Sequence, residues 1–167
     1  TDYDELQASV ASFAASCANK LRGQHSLTSA VTVFASSNRF REDLPQYSYG
    51  QTRILLLPTS DTIEITQAAL SVLKEIYREG ISYKKTGVIL GNITDASYVQ
   101  QNLFDEVKNR PERMQLMKSI DELNHRFGLR KIHLAVEGEE KQAWHAKSEF
   151  RSGNYLSDLK EILTIQI

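Results

Sequence analysis

Between Asp4 and Arg22 the apolar residues Leu6, Val10, Phe13, Cys17 and Leu21 recur at intervals of four, three, four and four, and Gly23 closes the run. Those intervals put all five on one face of an amphipathic helix. A helix with one apolar face is stable only against another layer, so the rest of the chain has to supply a sheet or a second helix to receive it. Both follow. TSAVTVFASS (28–37) is dense in β-branched residues and QTRILLLP (51–58) runs to a proline, and both read as strands joined by the loop NRFREDLPQYSYG. TSDTIEITQAALSVLKEIY then places Asp61 three residues ahead of Glu64, a capping-box variant, and spaces Ile65, Ala69, Val72 and Ile76 for a second helix. ISYKKTGVILGNI (81–93) is a third strand whose internal glycine, Gly87, marks a bulge or a close backbone approach. Helix, strand, strand, helix, strand is a split βαβ arrangement lacking only an opening strand. The expected fold is α+β, an antiparallel sheet with two helices on one face and the other face open.

From Thr94 to Arg110 no period holds, and this stretch is expected to be a linker. Within it Leu103 and Phe104 stand side by side among polar residues, the pattern of a short docking peptide. Pro111 opens a third helix carrying Met114, Met117, Ile120, Leu123 and Phe127 on one side, with Gly128 at its end. KIHLAVEG (131–138) alternates as a short strand, and EILTIQI at the end of the tail suggests another. The organisation expected is therefore a first unit over 1–93, a linker over 94–110 and a small α+β extension over 111–167.

Composition excludes several functions. A net charge of -1 gives no field that would draw the whole molecule to phosphate, so any such binding must be local. One cysteine forms no internal disulfide, and Cys17 lies on an apolar stripe, where packing is its ordinary role. No leader or run of eighteen apolar residues is present, which predicts a soluble, cytoplasmic chain without membrane contact. His25, His125, His133 and His145 fall on different elements at no ligand spacing, and no phosphate loop, G-x-S-x-G or paired acidic cluster occurs. No catalytic or metal-binding residue is expected. The cations say more: Arg39, Arg41 and Arg53 fall on or beside the first strand pair and Lys84 and Lys85 on the third strand, where they form either a solvated charged surface or a phosphate-facing one.

Five segments, TVFASSNRFREDLPQYS, IYREGISYKKTGVIL, QQNLFDE, SIDELNHRFG and AWHAKSEFRSGNY, occur in an order and at gaps that resemble the C-terminal third of the UmuC subunits of bacterial Y-family translesion DNA polymerases. The resemblance implies a little finger domain over 1–93, which lies along template-primer duplex DNA and contacts its backbone through Arg39, Arg41, Arg53, Lys84 and Lys85. It implies that Gln100, Gln101, Asn102, Leu103 and Phe104 dock on the sliding clamp, the glutamine at the rim of a pocket and the Leu-Phe pair inside it. Gln101 stands where the family usually has leucine, and RSGNYLSD lacks the proline and threonines of the family's closing stretch. The processed UmuD protein and the recombinase filament are the further partners implied, and SOS repair and mutagenesis the setting. Catalytic carboxylates and their Mg²⁺ would precede Thr1, leaving this fragment noncatalytic and without a cofactor. An interaction adaptor that binds protein rather than DNA is the competing reading, and a small-molecule-binding enzyme domain a third.

Overall fold

The computed structural model describes residues 2–98, 109–128 and 130–138. In chain order these form α1 (Tyr3–Gly23), β1 (Ser26–Ser37), β2 (Ser48–Thr59), α2 (Thr62–Ile76), β3 (Tyr83–Asp95), a 3-10 turn (Ala96–Tyr98), α3 (Arg110–Phe127) and a second 3-10 turn (Ala135–Glu137). The strands are antiparallel in the order β2-β1-β3. Both α1 and α2 join the inward side of the sheet in one hydrophobic cluster, which is the α+β architecture expected.

Local chemistry explains where the elements begin and end. Asp4 and Glu5 in the first turn of α1, and Lys20 and Arg22 in its last, complement the helix dipole. His25, at φ 53, then turns the chain into β1. Asp61 caps α2 by accepting the Ile63 N–H at 2.8 Å, but Glu64 does not complete a capping box. Its carboxylate turns instead to Arg110 of α3, with Oε1 3.1 Å from Nη1.

The α1 stripe is shifted slightly from its expected centre. Leu6, Val10 and Leu21 are buried as expected, Ala14 and Ala18 complete the buried face, and Phe13 and Cys17 lie half-buried on its flank. In the same cluster are Ile65, Ala68, Ala69, Val72, Leu73 and Ile76 of α2 and Val31, Val33 and Ala35 of β1. Small residues on both helices allow their axes to lie close. Four tyrosines distant in sequence close one end of this layer. Tyr3 meets Tyr77 edge-on at 4.9 Å, Tyr77 stacks on Tyr83 at 5.8 Å, and Tyr47 meets Tyr83 edge-on at 5.7 Å. The Tyr47 hydroxyl donates to the Ile76 carbonyl, and burial pushes its phenol above the ordinary range.

The attachment of α3 differs from what its apolar stripe suggests. Only Met117 of that stripe is buried, while Met114 is 65% exposed and Phe127 60% exposed. The hold is ionic. Arg22 donates from Nε to Asp121 Oδ2 at 2.6 Å, from Nη2 to Asp121 Oδ1 at 2.8 Å, and from Nη1 to the Ser60 carbonyl and the Thr62 hydroxyl at 2.7 and 2.8 Å. Arg113 Nε donates to Asp61 Oδ2 at 2.6 Å.

Residues 131–138 are not the strand their alternation suggests. The Asn124 side chain pairs with both the N–H and the carbonyl of Ile132, each at 2.8 Å, and so takes the place of a neighbouring strand. The boundaries also move: β3 continues past 93 to Asp95, whose carboxylate accepts the Ser97 N–H at 2.8 Å, and α3 starts at Arg110. The docking-like peptide Gln100–Phe104 and the tail beyond Gly138 lie outside the described residues.

Two stability measurements check this account. In urea denaturation, Leu73→Ala is expected to lower the unfolding free energy by about 2–5 kcal/mol, because Leu73 is fully buried, whereas Ile89→Ala on the exposed side changes it by no more than about 0.5 kcal/mol. Arg22→Met leaves the Asp121 carboxylate with the Asn19 amide but no arginine, strands the Ser60 carbonyl, and is expected to cost about 1.5–3 kcal/mol. A wild-type urea midpoint in Arg22→Met would contradict the ionic attachment of α3.

Candidate nucleic-acid interface

Strand parity decides which side chains look away from the helices. Since Val31, Val33 and Ala35 face the core, Ala30, Thr32, Phe34 and Ser36 face the other way. Cross-strand partners share a face, so Ser48, Gly50, Thr52 and Ile54 of β2 and Lys85, Gly87, Ile89 and Gly91 of β3 lie beside them. Among these positions Lys85 is the one charged residue and none is a carboxylate. The Thr32 and Thr52 hydroxyls bond across the face at 2.7 Å, and Ile54 and Ile89 are more than half exposed.

Phe34 occupies the middle of the face, with Gly50 and Gly87 as its cross-strand neighbours. A Cβ added at Gly87 would sit 2.5 Å from Cζ and 2.6 Å from Cε1 of the Phe34 ring, and one at Gly50 would lie 3.1 Å from the Phe34 Cβ. The glycine expected to mark a bulge or a close approach therefore marks the approach: the ring lies over it. The register irregularity falls earlier in the strand, between Ser36 and Ser37 of β1. Lys85 Nζ stands 5.9 Å from the ring centroid, a cation–π distance.

The sequence-predicted cations are only partly brought together. Lys84 and Lys85 begin β3 beside the end of β1, where Ser36 pairs with Lys85, and the loop carrying Arg39 and Arg41 leaves from that same end. Arg39 and Lys84 form no ion pair among the described residues. Arg41 is held by Asp43 through Nε at 2.8 Å and Nη2 at 2.6 Å, both side chains exposed, and this pairing lowers the Asp43 pKa. The loop folds on Gln46, whose amide donates to the Arg41 and Leu44 carbonyls at 2.8 and 3.2 Å. Arg53 does not join them. It pairs in register with Val31 on the helix-facing side and is bound by Glu75 of α2. Phe34, Gly50 and Gly87 were not singled out together because their adjacency depends on strand register, which no spacing in the sequence reveals.

Other sites offer less chemistry. Burial pushes the Cys17 thiol up, disfavouring the thiolate, with Lys20 acting weakly in the opposite direction. Among the described residues no three His, Cys, Asp or Glu side chains group as a metal site, and no helix is long and apolar enough to cross a membrane. A cavity of about 290 Å³ lies between α1, α3 and residues 130–138. Its carboxylates, Asp121 and Glu137, are each engaged by an arginine, so the cavity presents no free carboxylate.

Comparison with known proteins places these observations in a lineage. A family model described as the impB/mucB/samB family C-terminal domain matches residues 1–103, and a domain of unknown function, DUF4113, matches residues 114–165. The chain is 34% identical to Protein UmuC of Salmonella typhimurium over 99% of its own length and 39% of that protein's. It is 36% identical to Protein ImpB of Salmonella typhimurium over 97% of its length and 38% of ImpB's, and 30% identical to Protein MucB of Escherichia coli over 95% and 37% respectively. The chain thus spans about two-fifths of the length of the curated relatives it matches.

Proposed function

The chain belongs to the impB/mucB/samB family, and from that premise we propose that it is the DNA-gripping, partner-recruiting C-terminal part of an error-prone translesion DNA polymerase, acting in the cytoplasm in SOS repair and mutagenesis. The observation that carries this reading is a likeness to UmuC and ImpB that runs nearly the whole length of the chain. In this reading residues 1–93 are the little finger, 94–110 the linker and 111–167 the extension. Nucleotidyl transfer and the divalent cations it uses would belong to another part of the parent polypeptide.

Template-primer duplex would lie against the end of the sheet where Arg39, Lys84 and Lys85 are available. Arg41 would exchange its exposed partner Asp43 for phosphate at little cost, since solvent screens an exposed pair and leaves it little net strength. Arg53 would reach the duplex only by giving up Glu75. Backbone contacts of this kind position a protein without reading sequence. Gln100–Phe104 would tether the chain to the sliding clamp, while the processed UmuD protein and the recombinase filament would meet the same C-terminal region.

Fluorescence anisotropy with a primed duplex tests the DNA reading. Affinity should fall steeply with salt, and Lys84→Gln with Lys85→Gln should weaken binding equally across sequences and flatten the log–log slope by roughly 0.9 for each phosphate no longer neutralised. Arg53→Gln should change much less. Salt-insensitive binding, or none, would favour the adaptor. For the clamp peptide, Leu103→Ala with Phe104→Ala should abolish clamp binding, since each side chain contributes roughly 1.5–3 kcal/mol when fully buried, and should leave the melting temperature unchanged. A lower melting temperature beside a wild type that never binds clamp would refute the docking role.

A further inference from the structure

We propose that the open sheet face is a stacking platform for an unpaired nucleotide base, with the Phe34 ring as the platform and Lys85 as the partner of the adjoining phosphate. The proposal deepens the nucleic-acid reading above and rests on it. Phe34 sits on the central strand, and its neighbours on both sides are glycines, so no side chain of its own row rises beside the ring. The ring lies over Gly87, close enough that a Cβ there would collide with Cζ, and Phe34 stays partly exposed, with the Lys85 amine 5.9 Å from the ring centroid. The row on one side supplies the Thr32 and Thr52 hydroxyls and Ile89, and the row on the other supplies Ser36, Ser48 and the Lys85 amine.

The chemistry of the face selects the occupant. An aromatic plane bordered by hydroxyls and one amine, without a carboxylate, is complementary to a base and its phosphate. Arg39 and Lys84 add positive charge at the same end of the strands. Bases stacked inside a duplex already have both faces covered. A single-stranded base has a free π-face, and stacking it on a protein aromatic is sequence-tolerant because every base has such a face. On a primed template the occupant would be a base of the unpaired template overhang.

The test compares two labelled DNAs carrying the same number of phosphates, a primed template with a single-stranded overhang and a blunt duplex, in binding to the 167-residue chain. The overhang substrate should bind roughly fivefold or more tightly, the low end of what one stacked base contributes. Phe34→Leu covers Gly87 but has no π-face, and should erase that preference while leaving blunt-duplex affinity intact. Phe34→Tyr should retain it. Phe34→Trp in a Trp144→Phe background should show indole fluorescence quenched by the overhang substrate and not by the blunt one. Equal wild-type affinity for the two DNAs would remove the platform and leave the duplex reading standing, whereas no affinity for either would sink both. If Phe34→Leu alters self-association in sedimentation and leaves DNA affinity untouched, the face docks protein and the proposal fails.

Discussion

β1 is hydrogen-bonded on both sides, and the sheet and the two helices packed against it take their positions from that strand. Its inward residues, Val31, Val33 and Ala35, anchor the core that receives both helices. Its outward residues, Thr32, Phe34 and Ser36, centre the open face. The two roles are locked together by the two-residue period of a strand: a slip of one residue would push Phe34 into the core and expose Val33. The hydrophobic demand of the helices therefore fixes the composition of the surface on the far side.

How much of this was legible in the sequence varies with the kind of interaction. The first helix declared itself because Leu6, Val10 and Leu21 are large and periodic. Ala14 and Ala18 did not, since alanine signals helix anywhere and burial nowhere in particular. RILLLP contains apolar residues of both parities, so nothing local distinguished outward Ile54 from inward Leu55, or placed Arg53 on the helix side. Charge was hardest to read. The apolar stripe of α3 was visible, but its docking is governed by Arg22 and Asp121, ninety-nine positions apart, and no periodicity relates them. The tyrosine cluster was hidden for the same reason, its members coming from α1, the loop before β2, the residue after α2 and the start of β3.

The charge distribution reconciles a near-neutral chain with a proposed affinity for a polyanion. Many acidic side chains are already engaged away from the open face, with Asp61, Glu64, Glu75 and Asp121 each paired to an arginine. The net value averages over these internal commitments. What an approaching phosphate would meet is the local set, Lys84, Lys85 and Arg39, beside an Arg41 held by Asp43 and a neighbouring Glu42 in the same loop, and such local fields govern encounter even when the sum is close to zero. A surface of this kind favours loose, repositionable contact with a backbone over a fixed grip at one sequence.

The ionic fastening of α3 separates two responses that would otherwise rise and fall together. The Arg22 and Asp121 side chains are only 14% and 25% exposed, and mobile ions screen such sheltered charges far less than exposed ones. The cations at the end of the sheet stand in open solvent. Raising ionic strength should thus strip the exterior before it loosens the interior: on the proposed reading the molecule would release a bound strand while keeping its own shape, and would regain its hold on dilution without having to refold.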